Sequence, residues 1–256
     1  GPRKHLEELG IEVIQDLKVG ENLQDHFFFK GIYFSVDKPL AGASLEDQMY
    51  QYLSSFTGPL TETTGLVGYF DSRGRNYPTA AFVVLPVANN TAFFTQTFYG
   101  INLKADFQKA YYDAFGDKTV IATFMMVLRP ESRGRVLLRS LNPLHAPKIY
   151  LNLFGNSTDL IRMIEGIRFL ERLCSTRSMQ RINCSVVKPT LPGCGAFTHG
   201  TYKYWECLLQ RVTDTMYHPV GTCKMGPRSD PDAVVDPELN VIGVNKLRVV
   251  DASIMP

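Results

Sequence analysis

The chain has 256 residues, 45% apolar and 20% charged, a composition ordinary for a globular protein with room for one large domain or two smaller ones. A formal net charge of +2 leaves no concentrated basic face of the kind nucleic acid demands. The longest uncharged stretch, 76–103, is interrupted by Pro78, Pro86, Asn89 and Asn90, so its apolar pieces are too short to span a bilayer as helices.

In chain order, Pro2 to Leu9 predicts a short helix, with proline near its start and Gly10 just past its end. Ile11 to Ile14 alternates like a strand, and Val19 to His26 predicts a polar turn leading into Phe27-Phe28-Phe29. Beyond it the texture is that of a sheet. Strands are expected at Ile32–Val36, Ala80–Val87, Ala92–Phe98, Thr119–Leu128, Gly134–Ser140 and Ile149–Phe154, where β-branched and aromatic residues alternate with Pro, Gly and Asn breaks. Arg133-Gly134-Arg135 reads as the turn of a hairpin.

Three helices interrupt those strands. Ser44 with Asp47 forms a capping-box pattern ahead of Leu45, Met49, Tyr52, Leu53 and Phe56, a stripe expected to face the core, and Gly58-Pro59 closes it. Ser157 is the expected cap of a second helix with Leu160, Met163, Ile164, Ile167 and Leu170 inward. A third is expected from Tyr202 to Met216, burying Trp205, Leu208, Leu209 and Val212. These elements define an α+β fold, an antiparallel sheet backed by helices.

All five cysteines fall between Cys174 and Cys223, with none of the close paired spacing of a zinc site, so no metal centre is expected. Cys194 and Cys207 are the expected disulfide pair, a closure worth about 3 kcal/mol for a loop of that size. Three Asn-x-Ser/Thr triplets begin at Asn89, Asn156 and Asn183; together with the clustered cysteines they point to a secreted glycoprotein.

The chemistry concentrates in Tyr217-His218-Pro219-Val220-Gly221-Thr222-Cys223-Lys224-Met225-Gly226. A lone histidine is more often structural than catalytic. Here Pro219 is expected to stop the preceding helix and project His218 into a turn, where Gly221 permits close backbone approach. Cys223 is an alternative nucleophile, but no flanking residue is of a kind that activates a thiol, and a buried inert thiol is the better reading. Leu247 to Val250 reads as a buried strand ending on Asp251, which serves either as an N-cap or as an acceptor for a cofactor's hydroxyls at the carboxyl end of a strand.

That ten-residue run, Leu247-Arg248-Val249-Val250-Asp251-Ala252-Ser253, the opening Gly1 to Ile11 and Val19 to His26 together resemble the glucose–methanol–choline (GMC) family of FAD-dependent alcohol oxidoreductases. The likeness is greatest to its insect glucose-dehydrogenase branch. It implies that 1–26 and 240–256 belong to a Rossmann-like FAD-binding domain and 27–239 to the substrate domain. It further implies hydride transfer from an alcohol or sugar to the flavin, with His218 as the base for the hydroxyl proton. Tyr217, Asp251 and Ala252 match positions that line the flavin, and the reduced flavin passes its electrons to O₂ or a quinone-like acceptor.

The sequence departs from the family in two places. No Gly-x-Gly-x-x-Gly follows an N-terminal strand, and the chain stops at Pro256, before the position of a second catalytic His or Asn. The expectation is therefore of the C-terminal portion of such an enzyme, inactive alone. Two other readings stand beside it: a catalytically dead module that binds a sugar or hydrophobic ligand, and a structural domain in which the His218 turn is a relic.

Overall fold

A computed structural model describes residues 1–37, 44–61, 65–71, 74–87, 94, 98, 100 and 102–256. Two compact units emerge, one from 28–128 and 160–214, the other from 1–27, 129–159 and 215–256.

The first unit is organised by one sheet. Its strands are β1 (Phe27–Val36), β2 (Leu66–Phe70), β3 (Ala80–Val87), β4 (Thr119–Val127) and β7 (Ser185–Val186), in the order β2-β3-β4-β1-β7, with β8 (Thr213–Thr215) also paired to β1. The β2–β3, β3–β4 and β1–β7 pairs are antiparallel, with Ala80 opposite Val127 and Phe34 opposite Val186. Central β1 and β4 are buried along nearly their whole length, and they accordingly read as continuous apolar runs rather than alternations. Thr123 Oγ1 donates to the Ile32 carbonyl at 2.7 Å, so the buried hydroxyl of β4 is satisfied. The unit's helices include α3 (Ala105–Phe115), α4 (Ser157–Cys174), the short α5 (Arg177–Gln180) and α6 (Tyr202–Val212); α3 meets the sheet through Tyr111 against Tyr33 and α4 through Phe169 against Phe70 and Phe82. Tyr33 anchors an aromatic cluster with Phe94, Phe98, Tyr111 and Phe115, at centroid separations of 5.0–6.3 Å. Burial pushes the Tyr111 and Tyr33 hydroxyls well above the ordinary phenol range; Tyr111 donates to the Gly31 carbonyl at 3.1 Å.

Several sequence expectations change here. Phe94, Phe98 and Gly100 are helical where the sequence suggests a strand over 92–98; the other residues of that run, and the Asn89 triplet beside it, lie outside the described residues. Helix α2 (Leu45–Ser55) forms with the Ser44 cap as expected, Asp47 N–H donating to Ser44 Oγ at 3.1 Å, and it ends on a left-handed Phe56. Its apolar stripe nevertheless faces outward, with Leu53 70% and Phe56 76% exposed, because periodicity marks a face and not what covers it. The α4 stripe is buried as expected. Its first turn is capped by Asn156, whose Oδ1 accepts the Thr158 N–H at 2.9 Å, and not by Ser157. The α6 stripe is also buried, but α6 ends at Val212 rather than Met216, because Thr213–Thr215 joins the sheet edge as β8. Cys194–Cys207 forms the expected disulfide, and Cys174–Cys184 a second that spacing did not suggest; Cys223 is a free thiol.

The second unit has little regular structure: α1 (Arg3–Glu8), the antiparallel pair β5 (Arg135–Leu137) and β6 (Lys148–Tyr150), and loops joined by isolated bridges. Val234, Val235 and Val241 form its core, with Leu17, Cys223, Met225, Val249 and Ile254 packed around them. Residues 11–14 form no strand, and Ile14 is exposed. Gly134 bridges Leu23 instead of turning a hairpin, and the expected strands at 134–140 and 149–154 shrink to β5 and β6. Leu247 to Val250 is not a buried strand either; Val250 is exposed, and the segment holds only an Asn240–Arg248 bridge.

Candidate active site

The two segments that carry the sequence signal, more than twenty residues apart in the chain, are laced together within the second unit. Residues 220–225 run between 20–24 on one side and 252–254 on the other. On the first side Gln24 and Val220 exchange both backbone hydrogen bonds (3.0 and 2.9 Å), and the Gly20 N–H donates to the Thr222 carbonyl at 2.8 Å. On the second side the Gly221, Cys223 and Met225 N–H groups donate to the Ala252, Ser253 and Ile254 carbonyls at 3.4, 2.7 and 2.8 Å. Alternate residues thus hold the terminal turn while their neighbours hold the N-terminal loop, a strand's division of donors.

Gly221 makes this packing possible. Its φ is +90°, and a Cβ placed on it would lie 2.7 Å from the Asn22 carbonyl oxygen and 2.9 Å from Asn22 Nδ2. Asn22 uses that space to donate from Nδ2 to the Gly221 carbonyl at 3.1 Å.

The turn before Gly221 is held by Asp25, which is buried. One carboxylate oxygen accepts the His218 N–H at 3.0 Å and the other accepts the Thr215 hydroxyl, while Thr215 Oγ1 also accepts the Tyr217 N–H at 2.8 Å. Tyr217 adopts a left-handed conformation, φ +60°, which turns the chain sharply at the histidine. The His218 turn is therefore set by a carboxylate and a strand ending, and not by Pro219 breaking a helix. His218 is exposed, and its ring meets that of His26 with the two Nδ1 atoms 3.1 Å apart. The Met216 N–H donates to the His26 carbonyl at 3.1 Å, completing the link between the segments.

An open cavity of about 800 Å³ adjoins this turn. Leu23, Val136, Ile149, Leu151 and Pro219 supply apolar walls; the rest of the lining includes Tyr217, Asp251, Ala252 and Ser253, with Asp25, Thr215 and Thr222 beside them. Three of the four residues singled out in the sequence thus share one cavity. The fourth, His218, sits between two lining residues, Tyr217 and Pro219. Asp251 resolves toward capping: its Oδ1 accepts the Ser253 N–H at 2.8 Å at the start of a 3₁₀ turn, Ala252–Ile254. Hydrogen bonding to Ser253 holds its carboxyl below the ordinary aspartate range. Capping and cavity lining are compatible, since the residue is exposed.

Asp25 and His26 carry no obvious sign in the sequence, where Val19 to His26 reads as a polar turn. Their only trace there is the resemblance carried by Val19 to His26, which assigns them no role. Among the described residues no group of three or more His, Cys, Asp or Glu side chains is arranged to hold a metal ion, and no helix is long and apolar enough to cross a membrane.

Residues 130–256 match the family profile described as GMC oxidoreductase, and this part of the chain belongs to that family. The whole chain is 31% identical to "Glucose dehydrogenase [FAD, quinone]" of Drosophila melanogaster and 29% identical to the ecdysone oxidase of Bombyx mori, spanning 40% and 38% of their lengths. In structure it resembles an FAD-dependent oxidoreductase from Chaetomium thermophilum (TM-score 0.70, 23% identity, all of this chain on 47% of that one). A formate oxidase of Aspergillus oryzae RIB40 is similarly related (TM-score 0.68, 24% identity, all of this chain on 46% of that one). Both likenesses concern the fold.

Proposed function

We propose that this chain contributes the proton-handling side of an FAD-dependent oxidoreductase that acts on the CH–OH group of an alcohol or sugar. The observation that carries the reading is the convergence of 20–26, 217–226 and 251–254 on one recess. The residues present suit a flavin's ring system. Apolar walls at Leu23, Val136, Ile149, Leu151 and Pro219 match a flat aromatic face, and the polar groups of Thr222, Asp251 and Ser253 match its heteroatom edge. A volume of about 800 Å³ falls within the roughly 300–1,000 Å³ of small-molecule pockets.

In this reading Tyr217, Asp251 and Ala252 hold the flavin, which supplies the two-electron acceptor for the carbinol hydride. His218 takes the hydroxyl proton, and a positioned base of this kind is worth about 10²–10⁴-fold in rate. Asp25 fixes the backbone of the base through the His218 N–H, so the imidazole is placed before substrate arrives. Residues 1–26 and 240–256, with the 27–239 residues that line the recess, would serve the flavin, and the rest of 27–239 the substrate; O₂ or a quinone-like compound would be the final electron acceptor. The two disulfides support an oxidising, secreted setting. Exposed Asn156 remains open to glycosylation, whereas Asn183 Nδ2, the nitrogen that would carry a glycan, donates to Asp37 Oδ2 at 2.7 Å. The test is anaerobic: the flavin-loaded holoenzyme that carries this chain is mixed with a panel of sugars, sterols and aliphatic alcohols and its visible absorbance followed. Bleaching by one of these classes is expected. A flavin that no CH–OH compound reduces would overturn the reading.

A further inference from the structure

The meeting of His26 and His218 restricts what either ring can do. Their Nδ1 atoms lie 3.1 Å apart with the rings at 74°, a hydrogen-bond distance. Such a contact holds one proton. Two bare nitrogens would set lone pair against lone pair, and two protonated ones would press N–H against N–H. One ring must donate and the other accept. Neither ring is free to drift, because the backbones that carry them are tied: His218 N–H to Asp25, the His26 carbonyl to Met216 N–H, and Gln24 to Val220 on the next rung.

The two arrangements have opposite consequences. If His26 donates, a neutral His218 must carry its own proton on Nε2, and it has no nitrogen left to receive another. If His218 donates, its Nε2 is bare and basic. We propose that His26 is a positioning residue: by accepting the Nδ1–H of His218 it holds that ring in the tautomer whose Nε2 can take a proton. When a substrate hydroxyl gives its proton to Nε2, the O–H bond breaks, the N–H bond forms, and the resulting imidazolium keeps its Nδ1–H directed at a neutral acceptor. The hydrogen bond then becomes charge-assisted and stronger. The geometry requires that one ring donate and the other accept; that His218 is the donor, like its use in catalysis, rests on the reading under Proposed function.

The direct experiment is long-range ¹H–¹⁵N correlation of the histidine rings in the ¹⁵N-labelled chain, at a pH where both rings are neutral. His218 is expected to be protonated at Nδ1 and bare at Nε2. His26→Phe, which keeps the ring but removes the acceptor, is expected to return His218 to the Nε2–H form common in water. His26→Gln, which restores an acceptor oxygen, is expected to recover Nδ1–H. Finding His218 protonated at Nε2 in the native chain overturns the proposal without recourse to any variant. In the flavin-loaded protein, His26→Phe is expected to slow flavin reduction at saturating substrate by at least about tenfold while leaving half-saturation unchanged; the wrong tautomer costs about 10⁴-fold in the Ser-His-Asp case. A tautomer as expected with an unaltered reduction rate would also overturn the role. If the native tautomer is as expected but no alcohol bleaches the flavin, the functional reading fails and the tautomer assignment stands.

Discussion

Gly221→Ala isolates the steric demand on which the site is built. The added methyl would stand 2.7 Å from the Asn22 carbonyl oxygen, 2.9 Å from Asn22 Nδ2 and 3.0 Å from Gln24 Nε2, where ordinary contact needs at least 3.4 Å. The first of these is backbone, on a residue already at φ +59° and unable to rotate away as a side-chain tip would. Two costs follow. A left-handed conformation at a non-glycine residue costs about 1–2 kcal/mol, and forcing an extra carbon into a packed region about 1–3 kcal/mol. Gly10 provides the control within the same unit: its φ is +72°, and a Cβ there meets nothing within 4 Å. Gly10→Ala therefore carries the conformational cost alone. Urea denaturation of the native chain and both variants, compared at equal slopes, is expected to show a loss of about 1–2 kcal/mol for Gly10→Ala and about 2–5 kcal/mol for Gly221→Ala. Equal losses would refute the claim that 20–24 and 220–225 are packed backbone to backbone.

Three further outcomes follow from the structure. Asp159 is buried and accepts from Glu131 N–H, Ser132 N–H and Ser132 Oγ at 2.7–3.1 Å, so Asp159→Ala strands several donors and is expected to cost about 2–4 kcal/mol in the same denaturation assay. Alkylation of the unreduced, unfolded chain is expected to add one label, at Cys223, and Cys207→Ser to lower stability by about 3 kcal/mol; incorporation of three or more labels would contradict the pairing. His199 is held neutral, its pKa lowered to about 4, first by burial and then by the charges of Lys188 and Arg168. Because the unfolded chain takes up this proton near pH 6.5 and the folded one only near 4, stability is retained above pH 6.5 and lost progressively as pH falls toward 4. His199→Gln is expected to flatten that part of the pH dependence, and an unchanged slope would show that other groups govern it.

Local chemistry was legible in the sequence wherever one residue type could do only one thing. Gly10 past a helix end, Ser44 before one, and the apolar runs at 80–87 and 119–127 all took the expected places. The α4 and α6 stripes were equally readable, because their apolar positions recur at helical spacing and are buried. The same spacing misled at Leu45 to Phe56, since nothing in a stripe states what packs on it. The aromatic run near Phe94 and Phe98 looked like a strand because aromatic residues favour strands, yet their rings serve the Tyr33 cluster from helical positions. For the site, the sequence named Tyr217, His218, Asp251 and Ala252. Their grouping was carried by family resemblance, not by spacing, because the contacts that assemble them join residues about 30 to 200 positions apart. Asp25 and His26 went unread for the same reason: a buried carboxylate that caps a remote turn leaves no periodic trace.

The most direct test of the account is the rate of flavin reduction by an alcohol or sugar, measured anaerobically in the flavin-loaded holoenzyme that carries this chain and in its His218→Ala variant. The account predicts that the variant keeps its flavin absorbance and is reduced about 10²–10⁴-fold more slowly at saturating substrate. Equal rates in the two proteins would contradict it.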